Sequence, residues 1–197
     1  MGTPDLALSF EGGEDPEPAY AILRTLADAE LQLTFFLDGL WAEENPELIR
    51  AIGAAGHELG NHGHGHPDWT TLDDAAIRAD LARVDEIARR LGGRPAKPWA
   101  LPPKGALDAR VQGVLASDGY RAVNPEPLDA RVHTDNAAAG ITARILAGAD
   151  DGEVLTVHTG RWATAQAVAA ALPELRARGF RVRSISALER QPHYAPR

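Results

Sequence analysis

A chain of 197 residues is long enough for one well-buried core and short for two, so residues 1–197 are read as a single domain. With 44% hydrophobic and 24% charged residues and no apolar run of membrane-spanning length, the composition is that of a soluble globular protein without a membrane span. The net charge of -8 argues against a nucleic-acid partner, and the lack of cysteine removes disulfides, thiolate metal sites and a cysteine nucleophile, so any metal has to be held by His, Asp or Glu.

Strand and helix patterns alternate from the start. Met1-Gly2-Thr3-Pro4-Asp5 passes straight into a strand-like segment with no basic or apolar leader, so the chain reads as cytoplasmic by default, with its oligomeric state open. Residues 5–10 place Leu6, Leu8 and Phe10 at period two, and a helix over 19–29 follows behind Pro16 and Pro18. The apolar run 33–37 predicts a buried parallel strand, closed by the Asp38-Gly39 turn and followed by a helix near 46–54. From Thr71, read as a cap, Ile77, Leu81, Val84, Ile87 and Leu91 recur at helical spacing until Gly92-Gly93 ends the run. Further strands are predicted over 98–101, 120–123, 154–158 and 180–185, with helices near 107–116 and 164–178, and the tail 191–197 is expected to be loosely held. Repeated strand-helix units with short links predict an α/β fold, a parallel sheet or barrel whose active groups sit on the loops after the strands.

One of those loops carries the chemistry. Four of the seven histidines, His57, His62, His64 and His66, fall within ten positions between glycines and a proline. His62 and His66, four residues apart, can face one ion from a helical turn or a tight loop, and neutral imidazole is a common zinc ligand. His57 with Glu58 reads as packing or support, and His64 as a solvent-facing side chain that could replace one of the ligands.

The segments in order resemble the polysaccharide deacetylases, carbohydrate esterases that share the nodulation-protein deacetylase domain. Leu6-Ala7-Leu8-Ser9-Phe10-Glu11-Gly12-Gly13 resembles the first motif and His57 to Asp68 the second. Leu101-Pro102-Pro103-Lys104-Gly105 stands where the family has Arg-Pro-Pro-Tyr-Gly, Gly119 to Val132 at its tryptophan and aspartate motif, and Val154 to His158 at its closing histidine motif. The resemblance covers nearly the whole chain. It implies a single distorted (β/α) barrel of about seven parallel strands, and a hydrolase that removes N-acetyl or O-acetyl groups from acetylated sugars with a divalent metal, zinc first among candidates.

Residue by residue, the resemblance makes His62 and His66 the metal histidines and His158 the general acid. Glu11 stands at the position of the base aspartate, and Gly12 at that of the metal-binding aspartate. Leu101 replaces the arginine that holds the base, and Lys104 the tyrosine of the third motif. In the fourth motif Pro125 takes the tryptophan position, Leu128 and Arg131 fall on the aspartates, and Asp129 and Glu126 are the nearest groups to orient His158. Trp69 and Trp162 follow the two histidine motifs and, with Lys104, are candidate sugar contacts, whereas Trp41 and Trp99 read as buried rings.

Two outcomes stay open. Glu11 can swing to the ion and complete a two-histidine, one-carboxylate set, leaving the base role to Glu14, Asp15 or another nearby group; or no metal binds, and the chain is a non-catalytic carbohydrate-binding relative. An amidohydrolase acting on a small nitrogenous substrate is a third reading. Because Gly12 offers no ligand atom, ion binding is expected to be weak and to strengthen when an aspartate is restored there.

Overall fold

The computed structural model describes residues 3–123, 127–128 and 137–190. The readings of Pro125, Glu126, Asp129 and Arg131, and of the tail, lie outside the described residues. The elements in chain order are β1 (Asp5–Glu11), α1 (Glu17–Asp28), β2 (Thr34–Leu37), α2 (Gly39–Glu44), α3 (Pro46–Ala54), β3 (Glu58–Asn61), α4 (Asp74–Gly92), β4 (Trp99–Ala100), α5 (Ala109–Ser117), β5 (Arg121–Ala122), α6 (Ala138–Ala147), β6 (Val154–His158), α7 (Trp162–Ala177), β7 (Arg181–Arg183) and α8 (Ile185–Glu189). The expected α/β alternation is present, and seven strands lie among the described residues.

Three short helices escaped the periodicity. The six residues of α2 are too few for a stripe, and its start at Asp38-Gly39 reads as a turn; Asp38 is in fact its N-cap, accepting from the Trp41 amide. Helix α8 begins where the last strand was expected to end, because the Ser184 side chain accepts from the Ala187 amide and turns the chain. Helix α6 has only Ile141 and Ile145 buried, a weak signal.

The chain forms two compact units. The first comprises Met1–Phe10, Glu14–Thr34 and Glu126–Arg197. In it β1 pairs with β6 and, in parallel, with β7, with Asp5 opposite Arg181 and Ala7 opposite Arg183. The strand is buried along its whole length, its polar residues Asp5, Ser9 and Glu11 included. The buried Asp5 carboxylate is met by Arg181 at 2.6 Å and Arg183 at 3.1 Å, and the Ser9 hydroxyl ties into β6 through the Leu155 carbonyl and Thr156 Oγ1.

The second unit comprises Glu11–Gly13 and Phe35–Pro125, and its strands run in the order β5-β4-β3-β2. β4 is parallel to both β3 and β5. Trp69, Ile77, Leu81, Ala100, Val111, Val114, Leu115 and Tyr120 form a buried cluster here, each large apolar side chain contributing about 1.5–3 kcal/mol. Helix α4 is capped by Asp73, not by Thr71, and ends at Gly93 in the left-handed conformation. Thr71 instead lies in a short 3₁₀ turn, Trp69–Thr71, capped by Asp68. Helices α3 and α4 touch where Gly53 meets Gly92: a Cβ on Gly53 would lie 2.2 Å from the Gly92 carbonyl oxygen. No helix among the described residues is long and apolar enough to cross a membrane.

Candidate metal centre

Main-chain bonds past the strand ends bring the site together within the second unit. The Gly12 amide donates to the Phe36 carbonyl at 2.9 Å, the His62 amide to that of Leu37 at 2.9 Å, and the Leu101 amide to that of Asn61 at 2.8 Å. Glu11, Asp38, His62 and Leu101 therefore stand at the ends of neighbouring strands.

The loop from His62 to His66 is fastened on several sides. Buried Asn61 donates through Nδ2 to the Leu81 carbonyl and the Tyr120 hydroxyl, and accepts from the Gly63 amide through Oδ1. Burial pushes the Tyr120 phenol well up, so it stays a neutral partner. Asp80 on α4 accepts from the His64 amide at 3.1 Å with one oxygen and from Trp69 Nε1 at 2.9 Å with the other. The first amides of α2 add two bonds, Gly39 to the Gly63 carbonyl and Leu40 to that of His64. Gly63 has φ +74°, and a Cβ there would crowd Asp80, Pro103 and Pro67 at 3.0–3.1 Å, so the turn requires glycine. His66 adopts φ +53°, a conformation costing a non-glycine residue about 1–2 kcal/mol, borne where its imidazole must turn inward.

One ligand atom from each of Glu11, His62 and His66 lies within 4.8 Å of the others. His62 is buried, and its Nδ1–H donates to the Leu101 carbonyl at 2.8 Å, which orients the ring and makes Nε2 the atom it can offer a metal. That Nε2 lies 2.9 Å from Glu11 Oε1 yet has no hydrogen-bond partner among the described residues. The two imidazoles meet edge to face at 4.9 Å between centroids. Burial, and then the neighbouring His62, hold the His66 imidazole below its usual pKa, favouring the neutral form a ligand needs. Two neutral imidazoles and a carboxylate fit a divalent ion of zinc type.

Other predicted residues fare differently. Trp69 cannot be a sugar platform: it is 0% exposed in the second unit's core, its Nε1 spent on Asp80. Trp162 is 51% exposed as the first residue of α7 in the first unit, to which His158, the half-buried last residue of β6, also belongs. Lys104 is exposed at φ +60° in the turn Pro103–Gly105, its charge acting on His66 and Asp68. Nor does His64 face solvent: its Nε2 lies 2.9 Å from the Glu43 carboxylate, which this bond holds below the usual carboxylate range. His57 packs edge-on against Phe35, as expected.

The alternative bases are engaged elsewhere, Glu14 facing Arg161 at 3.4 Å and Asp15 accepting from the Glu17 amide. Leu101 is buried and serves the site through its main chain. Gly12 proves to be more than a missing ligand. A Cβ on it would lie 2.7 Å from the ring of buried Trp41 and 3.1 Å from the Phe36 carbonyl oxygen, so restoring an aspartate there collides with Trp41, and the expected gain does not follow from that change alone. Asp38, read from the sequence only as part of a turn, is half-buried at the end of β2. A nearby cleft of about 460 Å³, lined by Asp85, Arg89, Lys97 and Tyr120 among others, includes none of the three ligand residues.

A parallel α/β scaffold with two histidines and a carboxylate gathered at strand ends is the setting of a metal-dependent hydrolase. Residues 1–123 match the family model for polysaccharide deacetylase, and the chain belongs to that family. It is 30% identical to a chitooligosaccharide deacetylase of Bradyrhizobium sp., over 95% of this chain and 91% of that one. It is 27% identical to a peptidoglycan-N-acetylglucosamine deacetylase of Bacillus cereus, over 95% and 89% respectively. Among solved structures, a pseudoenzyme of the CE4 family from Bacillus anthracis superposes with a TM-score of 0.86 at 22% identity, over 95% of this chain and 66% of that one. A mutant of that pseudoenzyme, described as having restored enzymatic activity, superposes equally well. The chain has the α/β fold of these deacetylases.

Proposed function

We propose that the chain is a metal-dependent carbohydrate deacetylase of low activity, with Glu11, His62 and His66 holding the ion. The observation that carries this reading is the buried Nε2 of His62, aimed without a hydrogen bond at the place where Glu11 and His66 also converge. Relatives aligned over 95% of the chain support treating residues 1–197 as one deacetylase domain.

When bound, a divalent ion supplies a Lewis acid for an acetamide carbonyl and lowers the pKa of a water. The chain's own residues divide the remaining work. Leu101 orients the His62 ring through its carbonyl, and burial keeps His66 neutral. Hydrolysis adds water to the carbonyl carbon and breaks its bond to nitrogen; His158 is assigned to protonate the departing amine, and Lys104 and Trp162 to contact the sugar. Glu11, once a ligand, is a poorer base, which is why the rate is expected to be low.

Acetate release from N-acetylglucosamine oligomers, measured with and without added zinc, tests this reading: zinc-dependent release that is lost in His62→Ala and His158→Ala supports it. A second reading, a carbohydrate-binding relative without turnover, is favoured by the Trp41 ring lying over Gly12. Sugar binding without acetate release, with or without zinc, would select it.

A further inference from the structure

We propose that Asp38 is the second carboxylate of the metal centre, supplying from the end of β2 the negative charge that residue 12 does not. The inference rests on the metal-centre reading above and adds a residue to it.

The argument begins with charge. A divalent ion held by two neutral imidazoles and Glu11 keeps a net positive charge in a largely buried place, and such a charge is costly unless it is balanced. Residue 12 cannot balance it, because Trp41 occupies the space a side chain would need. Asp38 directly follows Leu37, whose carbonyl accepts from the His62 amide, and so stands beside that ligand on the neighbouring strand. It is half-buried, close enough to His62 and His66 that either ring would favour its ionised form if protonated. It lies outside the trio whose ligand atoms fall within 4.8 Å of one another, so its part is to balance and orient, as a positioning residue. The buried, unbonded Nε2 of His62 is the independent sign that a ligand belongs here.

Capping explains only part of Asp38. One oxygen accepts from the Trp41 amide at 3.0 Å, but asparagine and serine cap helices about as well without bringing a charge into a half-buried site, where burial pushes the carboxyl up. A neutral cap therefore separates the two roles.

The test is calorimetric titration of zinc into the metal-free wild type, Asp38→Asn, Asp38→Ser and Glu43→Gln, with urea denaturation of each metal-free protein. Glu43 is the control, a carboxylate on α2 that pairs with His64 instead of facing the ligands. The expected result is a loss of zinc affinity of about ten- to a hundredfold in both Asp38 variants, little change in Glu43→Gln, and metal-free stability equal to or above wild type. Wild-type affinity in a folded Asp38→Asn or Asp38→Ser, or an equal loss in Glu43→Gln, overturns the role of Asp38 while leaving the metal centre in place. A wild type that binds no zinc overturns the metal centre, and this inference with it.

Discussion

Asp80 holds the histidine loop from α4, and replacing it by alanine removes two bonds at once. The bond from Trp69 Nε1 is the costlier loss, since that ring is fully buried and its N–H has no water to turn to. An orphaned buried donor costs about 1–3 kcal/mol. The His64 amide is only partly buried, so water can replace much of its bond and about 0.5–1 kcal/mol is lost. Asp80→Ala is thus expected to destabilise the protein by about 1.5–4 kcal/mol, which leaves it folded if its stability lies in the usual range of about 5–15 kcal/mol. Asp80→Asn keeps one acceptor for two donors and should fall between. Because the same loop carries His62 and His66, zinc affinity should drop by about ten- to a hundredfold in Asp80→Ala. Urea denaturation and zinc titration read the two effects separately. A stability loss below about 0.5 kcal/mol with unchanged zinc affinity would refute the claim that this carboxylate fastens the loop.

Gly12→Asp alone should destabilise by about 1–3 kcal/mol through overpacking against Trp41, and in a double-mutant cycle with Trp41→Leu the coupling should favour the pair by at least about 1 kcal/mol; additive losses in urea would contradict the collision. His66 is held below its usual pKa in the folded protein, so the unfolded chain takes up its proton first: this share of stability is full above the unfolded value of about 6.5 and is lost as pH falls from there towards the folded value. Melting of the metal-free protein between about pH 7.5 and 5.5 should show that slope, and His66→Gln should flatten it. A chelator should lower the melting temperature of zinc-loaded wild type but leave that of His62→Ala unmoved, because a ligand that binds only the folded state stabilises it by mass action.

Most of the scaffold was legible because its signals are local and repeated. The apolar strand Val154–His158 and the helix Pro46–Ala54 have the predicted bounds, and the stripe Ile77, Leu81, Val84, Ile87 and Leu91 is the buried face of α4. His62 and His66 could be named in advance because two histidines in a glycine-rich turn are a short motif, and Glu11 because its segment resembles the family's first motif. What stayed hidden was set by partners distant in sequence. Trp69 looks like an exposed platform beside a histidine motif until Asp80 and the cluster around Leu115 enclose it. His64 looks free until α2, itself too short to predict, brings Glu43 alongside.

Gly12 shows why a degenerate motif is poor evidence about activity when read as a string. As letters, the glycine is a deleted ligand that a single substitution could restore. In the folded protein the vacated volume holds a buried indole; that same indole's main-chain amide is the one Asp38 caps, and Asp38 stands next to His62 across two strand ends. Losing a side chain at position 12, placing Trp41 and presenting Asp38 are one packing arrangement. The cap on α2 is a physical demand that asparagine or serine would also meet, so only the charge of Asp38 is left for the site to explain. On the proposal made above the site is built around a different carboxylate, and the neutral caps at Asp38, more than any repair of Gly12, are the changes that test it.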